Sequence, residues 1–429
     1  MKFIDLFAGL GGFNVGLSRL GHKCVFASEI DKNLSRLYKE NFGIEAVGDI
    51  RKIDLRKIPK HDILCAGFPC QSFSQAGNRS GLKDDRGSLF YEIAKILDYH
   101  KTRYFILENV SNLVRHNNGK TWKKIERILT KELGYSIDKK FLSPHSFGIP
   151  QFRKRIFIVG AKNGLDKFKW PEETHRGENI KISSVLKKNP KNAKKIPERE
   201  WKCIKIWQAF LSSIPRTKEL PKCPIWAMEF RATYPYIGKP PVLRTKHELE
   251  KFRGSYGVKL NGLDKKAQIK NIPKYAQGEK IFPAWKQDFI RQNREFYLKF
   301  KKKIDSLIPE IKSLPFSWQK FEWNCNGEHR NLKKTILQFR ASGIRAKKTN
   351  FSPSLVASTV TQVPIITWEK RYIIPREAAR LQSLEKLTLF SSQTASFKAL
   401  GNAVNADIIY RIGKNLIRKN NITPDSNKK

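Results

Sequence analysis

The sequence predicts an α/β fold built on a mostly parallel, doubly wound sheet, together with a smaller and irregular second domain. Over the first 160 residues, short apolar runs alternate with amphipathic stretches, which is typical of repeated β-α-β units with helices on both faces of a sheet. From about residue 165 the chain is rich in lysine, tryptophans are scattered through it, and prolines break long elements. We therefore expect a first domain over 1–165, a second domain over 166–394, and a segment over 395–429 that returns to the first domain.

The individual elements follow from apolar runs bounded by turn residues. In the first domain we expect strands at 2–6, 23–28, 62–66, 104–107 and 155–159, a short strand just before residue 49, and helices at 12–20, 34–41 and 88–99. Farther along, apolar residues at helical spacing predict a long helix over about 285–303 that faces a core. The chain ends in a helix at 403–417 and a tail over 420–429 that we expect to be disordered.

The composition indicates a polyanionic partner. The chain of 429 residues carries 84 Lys and Arg against 39 Asp and Glu, a formal net charge of +45 at pH 7. This excess favours nucleic acid as the partner. The alternatives are an anionic membrane surface or a generally lysine-rich proteome, and the latter accounts for part of the excess. The sequence has no apolar run long enough to cross a membrane and no signal peptide, so we expect no membrane span and a cytoplasmic location.

The six cysteines do not form a disulfide or metal framework. None belongs to a CxxC pair, and several lie in apolar runs, as expected in a reducing compartment. Cys325 and His329 have the spacing of zinc ligands, but two further ligands at matching spacing are missing. We therefore expect no metal site.

Cys70 has the setting of a nucleophile. It lies in the segment 67–74 (GFPCQSFS), directly after an apolar run that predicts a buried strand. A Pro-Cys step leaving a parallel strand places the thiol at the carboxyl end of the sheet, where α/β proteins build their sites, and a thiolate can attack an electron-poor carbon. The alternative is that Cys70 is a small buried hydrophobic residue, as most free cysteines are.

Three strand ends predict a pocket for an adenosine group. The segment 7–12 (FAGLGG) follows the first strand, where glycines let a backbone approach a ligand, although a tight turn explains them equally well. It matches neither GxGxxG nor a P-loop, which disfavours a nicotinamide dinucleotide. Glu29 ends the second strand, where an acidic residue can bind ribose hydroxyls. Asp49 and Ile50 follow the third, where they can accept from an exocyclic amine and pack on a purine. S-adenosylmethionine, which has an adenosine but no pyrophosphate, fits these residues.

A carboxylate and two arginines are expected near Cys70. Glu108 ends a strand beside the Pro-Cys turn, where it acts as hydrogen-bond partner or acid, or else caps a helix or forms a salt bridge. Arg153 and Arg155 lead into an apolar strand, and residues two apart on a strand share a face. They either serve the site or simply pair with carboxylates.

Six segments, in this order, resemble the DNA (cytosine-5) methyltransferase family, especially its compact bacterial modification enzymes. They are FAGLGG at 7–12, GFPCQSFS at 67–74, ENV at 108–110, QFRKR at 151–155, REAARLQ at 376–382 and GNAV at 401–404. The resemblance covers roughly 1–165 and 370–418, and the region between matches the family's target-recognition region only in position and size. One departure is Ile30, where many relatives carry an aromatic residue that packs on adenine.

The resemblance implies a Rossmann-like S-adenosylmethionine-dependent methyltransferase domain and gives the residues roles. Cys70 would add to C6 of cytosine, Glu108 would contact N3 and N4 and supply a proton, and Arg155, supported by Arg153, would hold O2. Cys70 cannot reach C6 inside a duplex, so the target base must flip out. The cofactor-binding residues that the resemblance implies are Phe7, Ala8, Gly9, Leu10, Gly11, Gly12, Glu29, Ile30, Asp49, Ile50, Gly67, Pro69 and Asn402.

Two segments are expected to contact DNA. The polar stretch 71–86 is similar to the loop that closes over a flipped base. In the second domain, the segment 338–348 (QFRASGIRAKK) combines arginines with a glycine. Arginine can read guanine bidentately in the major groove, although phosphate contact alone is an equal alternative. The expected DNA contacts are Gln71, Ser74, Arg86, Arg340 and Arg345.

The resulting prediction is a monomeric, cytoplasmic and nucleoid-associated bacterial enzyme that methylates C5 of cytosine in double-stranded DNA, with a cognate restriction endonuclease as genetic partner. A tRNA cytosine methyltransferase shares the motifs and is the alternative, but its relatives usually carry a Cys-Phe-Thr segment that is absent here. A non-catalytic DNA-binding relative is disfavoured by intact Cys70, Glu108 and Arg155.

Overall fold

The computed structural model describes residues 1–69, 89–175, 180–355 and 362–417. These residues divide into two compact units. Unit 1 takes them from Met1–Lys191, Asn350–Val360 and Ile374–Lys429, and unit 2 from Asn192–Thr349 and Thr361–Ile373. The predicted start of a helix at Ser88 and the predicted tail at 420–429 lie outside the described residues.

The elements are numbered in chain order over the described ranges. The strands are β1 (Lys2–Leu6), β2 (Lys23–Ser28), β3 (Ala46–Val47), β4 (Ile63–Gly67), β5 (Tyr104–Val110), β6 (Ser136–Leu142), β7 (Gln151–Phe152), β8 (Arg155–Ala161), β9 (Ile225–Trp226), β10 (Lys320–Asn324), β11 (Ile336–Arg340), β12 (Gly343–Lys347), β13 (Ser352–Pro353), β14 (Ile365–Ile366) and β15 (Arg371–Tyr372). The helices are α1 (Gly12–Ser18), α2 (Lys32–Phe42), α3 (Leu89–His100), α4 (Lys120–Arg127), α5 (Glu198–Ser213), α6 (Lys246–Glu250), α7 (Lys265–Lys270), α8 (Ala284–Ile304), α9 (Ile308–Ser313), α10 (Pro375–Leu381), α11 (Gln393–Asn402) and α12 (Ala406–Leu416).

The main sheet of unit 1 confirms the predicted fold class. Its seven strands run in the order β3-β2-β1-β4-β5-β8-β6. The first five are parallel, whereas β8 is antiparallel to both β5 and β6. The sheet is therefore mostly parallel, and the carboxyl ends of its five parallel strands share one edge.

Helices cover both faces of this sheet. Neighbouring residues of a strand point to opposite sides, so adjacent strand residues pack against different helices. Phe3 belongs to a buried cluster with residues of α1 and α12, including Leu17 and Ile412. Its neighbour Ile4 belongs to a second cluster with residues of α3 and α4, including Ile93 and Ile125. The C-terminal helix α12 thus forms part of the buried cluster on one face of the sheet.

The unit boundaries differ from the predicted limits of 165 and 395: unit 1 continues to Lys191, farther along the chain than predicted, and resumes at Ile374, earlier than predicted. Arg380 Nη1 donates to the carbonyl oxygen of Val185 at 2.9 Å, which ties the segment after 165 to α10. Gln382 Nε2 donates to the Leu400 carbonyl at 3.0 Å, which ties the end of α10 to α11. These contacts keep 166–191 and all of α10 in unit 1. The division of roles between the units stays a prediction.

Unit 2 contains a six-stranded sheet in the order β15-β14-β11-β12-β10-β9. Only β10 and β12 are parallel; the other pairs are antiparallel. One face packs on α5, where the rings of Trp207 and Phe321 stack with centroids 4.9 Å apart. The predicted long helix is confirmed as α8, and its residues Ile290 and Tyr297 are buried as expected of a core helix.

The predicted start of the last helix at Ala403 was wrong. Asn405 caps α12, because its side-chain oxygen accepts from the amides of Asp407 and Ile408, each at 3.1 Å. Ala403 instead follows α11, a helix that the sequence did not predict. In the described part of the chain, no helix is both long and apolar enough to cross a membrane.

Candidate active site

A cavity of about 750 Å³ opens in unit 1 at the carboxyl edge of the parallel strands. Each of β1, β2, β3, β4 and β5 contributes residues at or just past its carboxyl end, which is where open α/β sheets bind ligands. The strand-end residues that line it are Phe7, Ala8, Gly9, Ser28, Glu29, Ile30, Asp31, Gly48, Asp49, Ile50, Arg51, Gly67, Phe68, Pro69, Glu108, Asn109 and Val110. Arg153, Arg155 and residues 401–404 line it as well.

The turn after β1 is strained where it meets the cavity. Phe7 has φ of 55° and Gly9 has φ of 53°, in the left-handed region. That conformation is costly for a bulky residue such as Phe7 and is often held by the surrounding structure at ligand sites. Here the Ala8 amide donates to the Ser28 carbonyl at 3.0 Å, which fixes the turn against the end of β2.

The second half of the predicted glycine-rich segment has a packing role. Leu10 is buried and, like Gly11 and Gly12, lies outside the cavity lining. A Cβ on Gly12 would stand 2.3 Å from the Val404 carbonyl oxygen, so only glycine lets the returning C-terminal segment approach α1 this closely. The contact of these three residues with a cofactor stays a prediction. In the structure they allow close packing of α1 against the neighbouring segments.

Glu29 is held in place by backbone amides. Its Oε2 accepts from the Gly9 amide and its Oε1 from the Asp31 amide, each at 2.9 Å. The carboxylate is thus anchored to the turn after β1, with lone pairs left for a ligand. Next to it, Ile30 leaves 67% of its surface exposed in the cavity lining, although it is a large apolar residue.

Asp49 is paired with Arg51, a residue that the sequence analysis did not assign to the site. Arg51 Nε lies 2.9 and 3.0 Å from the two carboxylate oxygens, and Nη2 lies 2.6 Å from Oδ2. The hydrogen bonds from Arg51 lower the pKa of Asp49, so it is ionised at neutral pH. Both side chains line the cavity, and Ile50 between them lines it from a buried position.

Glu108 is buried, with 8% of its surface exposed, and faces a cation. Its Oε1 lies 3.2 Å from Nε of Arg155. Burial raises the pKa of Glu108, and the charges of Arg155 and Arg153 offset only part of that effect. The carboxyl group therefore keeps its proton to higher pH than an exposed glutamate would.

Arg153 does not lie on a strand with Arg155, contrary to the prediction. β7 ends at Phe152 and β8 begins at Arg155, so Arg153 lies in the break between them. The break arises because the Arg153 amide donates to Ser143 Oγ at 2.9 Å instead of to a strand. Its Nη2 donates to the Ala403 carbonyl at 3.1 Å, which brings the C-terminal segment to the cavity.

The other predicted cofactor residues reach the cavity from two elements. Gly67 and Pro69 lie at the end of β4, and Asn402 is exposed at the end of α11. Asn109 Nδ2 donates to the Phe68 carbonyl at 2.8 Å and so braces the chain just before position 70. Cys70, Gln71, Ser74 and Arg86 lie outside the described residues, as does the rest of the predicted loop 71–86.

The other five cysteines are poor candidates for a nucleophile. All are buried free thiols, and burial raises the pKa of each one. For Cys24, Cys223 and Cys325 the pKa rises to about 12. A neutral thiol is a weak nucleophile, so none of the five is suited to attack.

Arg340 and Arg345 lie on neighbouring strands of unit 2 and share one carboxylate. Arg345 Nε donates to Oε2 of Glu322 at 2.9 Å, and Arg340 Nη2 donates to the same oxygen. The sequence analysis did not predict this shared carboxylate, and the DNA contact of both arginines stays a prediction.

Comparison with known proteins decides the family. A family model described as C-5 cytosine-specific DNA methylase matches residues 1–418. The chain belongs to this family. The match confirms the family and the enzyme class predicted from the six segments, a DNA methyltransferase.

Several relatives of the chain are named Type II methyltransferases. The chain is similar to the Type II methyltransferase M.DsaV of Dactylococcopsis salina, with 44% identity over 47% of the chain and only 57% of that protein's length. It is 29% identical to M.AluI of Cellulosimicrobium cellulans, over 97% of the chain and 92% of M.AluI. The solved structure of the Entamoeba histolytica methyltransferase EhMeth matches 97% of both chains with a TM-score of 0.52 at 13% identity, which is a likeness of fold.

Sequence reasoning missed several residues of the cavity, among them Arg51, Phe390 and Lys398. Arg51 had a local signal, because Asp-x-Arg occurs at 49–51 and again at 54–56, and both copies form the same side-chain pair. Phe390 and Lys398 had no such signal in the sequence, because they reach the cavity only through the way α11 and the residues before it are placed in the fold.

Proposed function

We propose that the protein transfers a methyl group from S-adenosylmethionine to C5 of a flipped-out cytosine in a specific double-stranded DNA sequence, through a covalent bond between Cys70 and C6. The observation that carries the proposal is one cavity that holds both the strand-end acids Glu29 and Asp49 and the buried Glu108–Arg155 pair. The names of the Type II relatives favour a role as the modification enzyme of a restriction–modification system.

The adenosine side of the cavity fits S-adenosylmethionine. The anchored carboxylate of Glu29 is suited to accept from ribose hydroxyls, and the exposed side chain of Ile30 offers an apolar surface to the adenine ring. Asp49 would accept from the exocyclic amine, and Asn402 would bind from the C-terminal side. When bound, S-adenosylmethionine supplies an electrophilic methyl group.

Replacing Asp49 by alanine is expected to weaken S-adenosylmethionine binding about fivefold or more, because one buried hydrogen bond contributes on the order of 1 kcal/mol. The matched control is Asp54→Ala. Asp54 makes the same cap and the same pair with Arg56, but it lies outside the cavity lining. Calorimetry should give a weaker affinity for Asp49→Ala and the parental affinity for Asp54→Ala. Equal affinities in the two variants would remove Asp49 from the pocket.

Glu108 is suited to activate the cytosine ring. Its raised pKa favours the protonated carboxyl, which can donate to N3 while N4 donates to its other oxygen. A proton held at N3 makes C6 electron-poor. Arg155, next to Glu108, would hold O2, and Arg153 anchors the chain beside it through the Ala403 carbonyl.

Cys70 would then complete the reaction. Its thiolate adds to C6, C5 takes the methyl group, a base removes the C5 proton, and the Cys70–C6 bond breaks. The high pKa values of the other five thiols support Cys70 as the attacking residue. Gln71, Ser74 and Arg86 stay our proposed DNA contacts of the closing loop, with Arg340 and Arg345 in unit 2.

Incubation with methyl-labelled S-adenosylmethionine and either duplex DNA or tRNA tests the substrate class. We expect label in duplex DNA. Incorporation into tRNA alone would favour the alternative of a tRNA methyltransferase, which the Type II relatives support less. A cognate endonuclease, a monomeric state and a cytoplasmic, nucleoid-associated location complete the proposal.

A further inference from the structure

Three central strands of the unit 2 sheet carry polar side chains on the same face. Glu322 on β10 lies opposite Arg345 on β12, and Arg345 lies opposite Gln338 on β11. Directly opposed residues of paired strands point to the same side of a sheet. The alternate residues of the same strands, such as Phe321, form the other face, which packs on α5.

One row along, the same face holds two cations, Lys320 and Arg340, on either side of a glycine. Arg340 lies opposite Gly343, and a Cβ on Gly343 would stand 2.8 Å from Cβ of Lys320. Because Gly343 has no side chain, only backbone lies between the side chains of Lys320 and Arg340 on this face. We call the face formed by Lys320, Glu322, Gln338, Arg340, Arg345 and Lys347 the polar face.

The polar face has more cationic donors than acceptors. Lys320, Arg340, Arg345 and Lys347 are opposed there by a single acidic residue, Glu322. The Lys320 ammonium has no hydrogen-bond or ion-pair partner among the residues that the structure describes; it lies 5.0 Å from the ring centroids of Tyr275 and of Phe316. Arg340 Nε is buried and has no hydrogen-bond partner in the described ranges of the chain. Unsatisfied buried donors are costly, so this face is suited to a ligand rich in acceptors.

Glu322 fixes how Arg345 can use its donors. Of the donors of Arg345, only Nε is hydrogen-bonded within the described part of the chain, to Oε2 of Glu322. The two terminal amino groups thus remain available as a pair of parallel donors, and the side chain is 28% exposed. Glu322 itself is 18% exposed. Burial raises the pKa of its carboxyl group, but the hydrogen bonds from Arg345 and Asn324 outweigh this effect, so the pKa is lowered overall.

We infer that Glu322 is a positioning residue for target recognition, which holds Arg345 so that its terminal amino groups bind O6 and N7 of a guanine in the DNA site. The inference rests on the proposed function. Guanine presents two acceptors at this spacing in the major groove, and a bidentate arginine contact discriminates against other bases. A guanidinium already fixed by a carboxylate loses less side-chain freedom on binding. Arg340 and Lys320 flank the contact and bind neighbouring acceptors.

The test is the sequence discrimination of Glu322→Gln. Bisulfite sequencing of DNA methylated by the parent enzyme first maps the site. Affinities for the mapped duplex and for each single-base variant are then measured at two salt concentrations. We expect the ratio of cognate to variant affinity to fall about tenfold at one G·C pair and to stay unchanged at the other positions.

Glu295→Gln is the matched control. Glu295 also contacts a guanidinium, that of Arg291 at 3.0 Å, but it lies on α8, and its replacement adds the same net positive charge. General electrostatic attraction therefore changes alike in both variants. An unchanged ratio in Glu322→Gln, or the same change in both variants, overturns the inference.

Arg345→Lys keeps the test open should Glu322→Gln fail to fold. This variant retains the charge but loses the pair of parallel donors, so discrimination at the same base pair should fall while the salt dependence stays constant. Intact discrimination would overturn the inference. Methylation by the parent is scored separately: its absence defeats the proposed function, whereas normal methylation with unchanged discrimination defeats only the role of Glu322.

Discussion

Replacing Cys70 by alanine is expected to abolish methyl transfer while DNA binding stays largely intact. Without the thiolate, C6 of cytosine has no nucleophile, and C5 is too electron-poor to take the methyl group. Cys223→Ala is the matched control, because it removes a buried thiol of unit 2 whose pKa is about 12. It should retain turnover.

The covalent step can be observed directly with 5-fluorocytosine at the target position. Fluorine at C5 cannot leave as a proton does, so the protein–DNA adduct accumulates. We expect the adduct with the parent and with Cys223→Ala, and no adduct with Cys70→Ala. An adduct mapped to another cysteine, or turnover in Cys70→Ala, would contradict the role of Cys70.

Glu108→Gln is expected to lower the rate of methyl transfer roughly 10²- to 10⁴-fold, the usual range for loss of a general acid. Glutamine keeps the size of the side chain but has no carboxyl proton to give to N3. Affinity for S-adenosylmethionine should stay near that of the parent. Glu126→Gln is the control, because it makes the same change at a partly exposed residue of α4, outside the cavity lining.

The pH dependence provides a second readout for Glu108. Burial raises its pKa, so the protonated, active form persists above the range of an ordinary glutamate and is lost as pH rises through the raised value. The parent rate should fall over that interval. Glu108→Gln should lack this fall, and a parental profile in the variant would assign the acid role elsewhere.

The sequence predicted the cavity because its key residues are strand ends. Glu29, Asp49 and Glu108 each follow an apolar run, and parallel strands bring such positions to one edge. What the sequence does not carry is the pairing of side chains. The pair of Asp49 with Arg51 and the displacement of Arg153 from a strand by Ser143 depend on local geometry that no periodic pattern records.

Unit 2 was harder to predict for a different reason. Its strands β9, β14 and β15 are two residues long, which is too short to show the alternation that marks a strand. The contact of Arg345 with Glu322 joins residues on two separate strands, so neither residue signals it alone. The basic character of the region was visible, but the polar face was not.

The central claim is that this chain methylates C5 of cytosine in duplex DNA, and nucleoside analysis of DNA incubated with the protein and labelled S-adenosylmethionine tests it most directly. Digested to nucleosides, the DNA should carry all of its label as 5-methyldeoxycytidine. Label in N4-methyldeoxycytidine or N6-methyldeoxyadenosine, or none in DNA, would contradict the account.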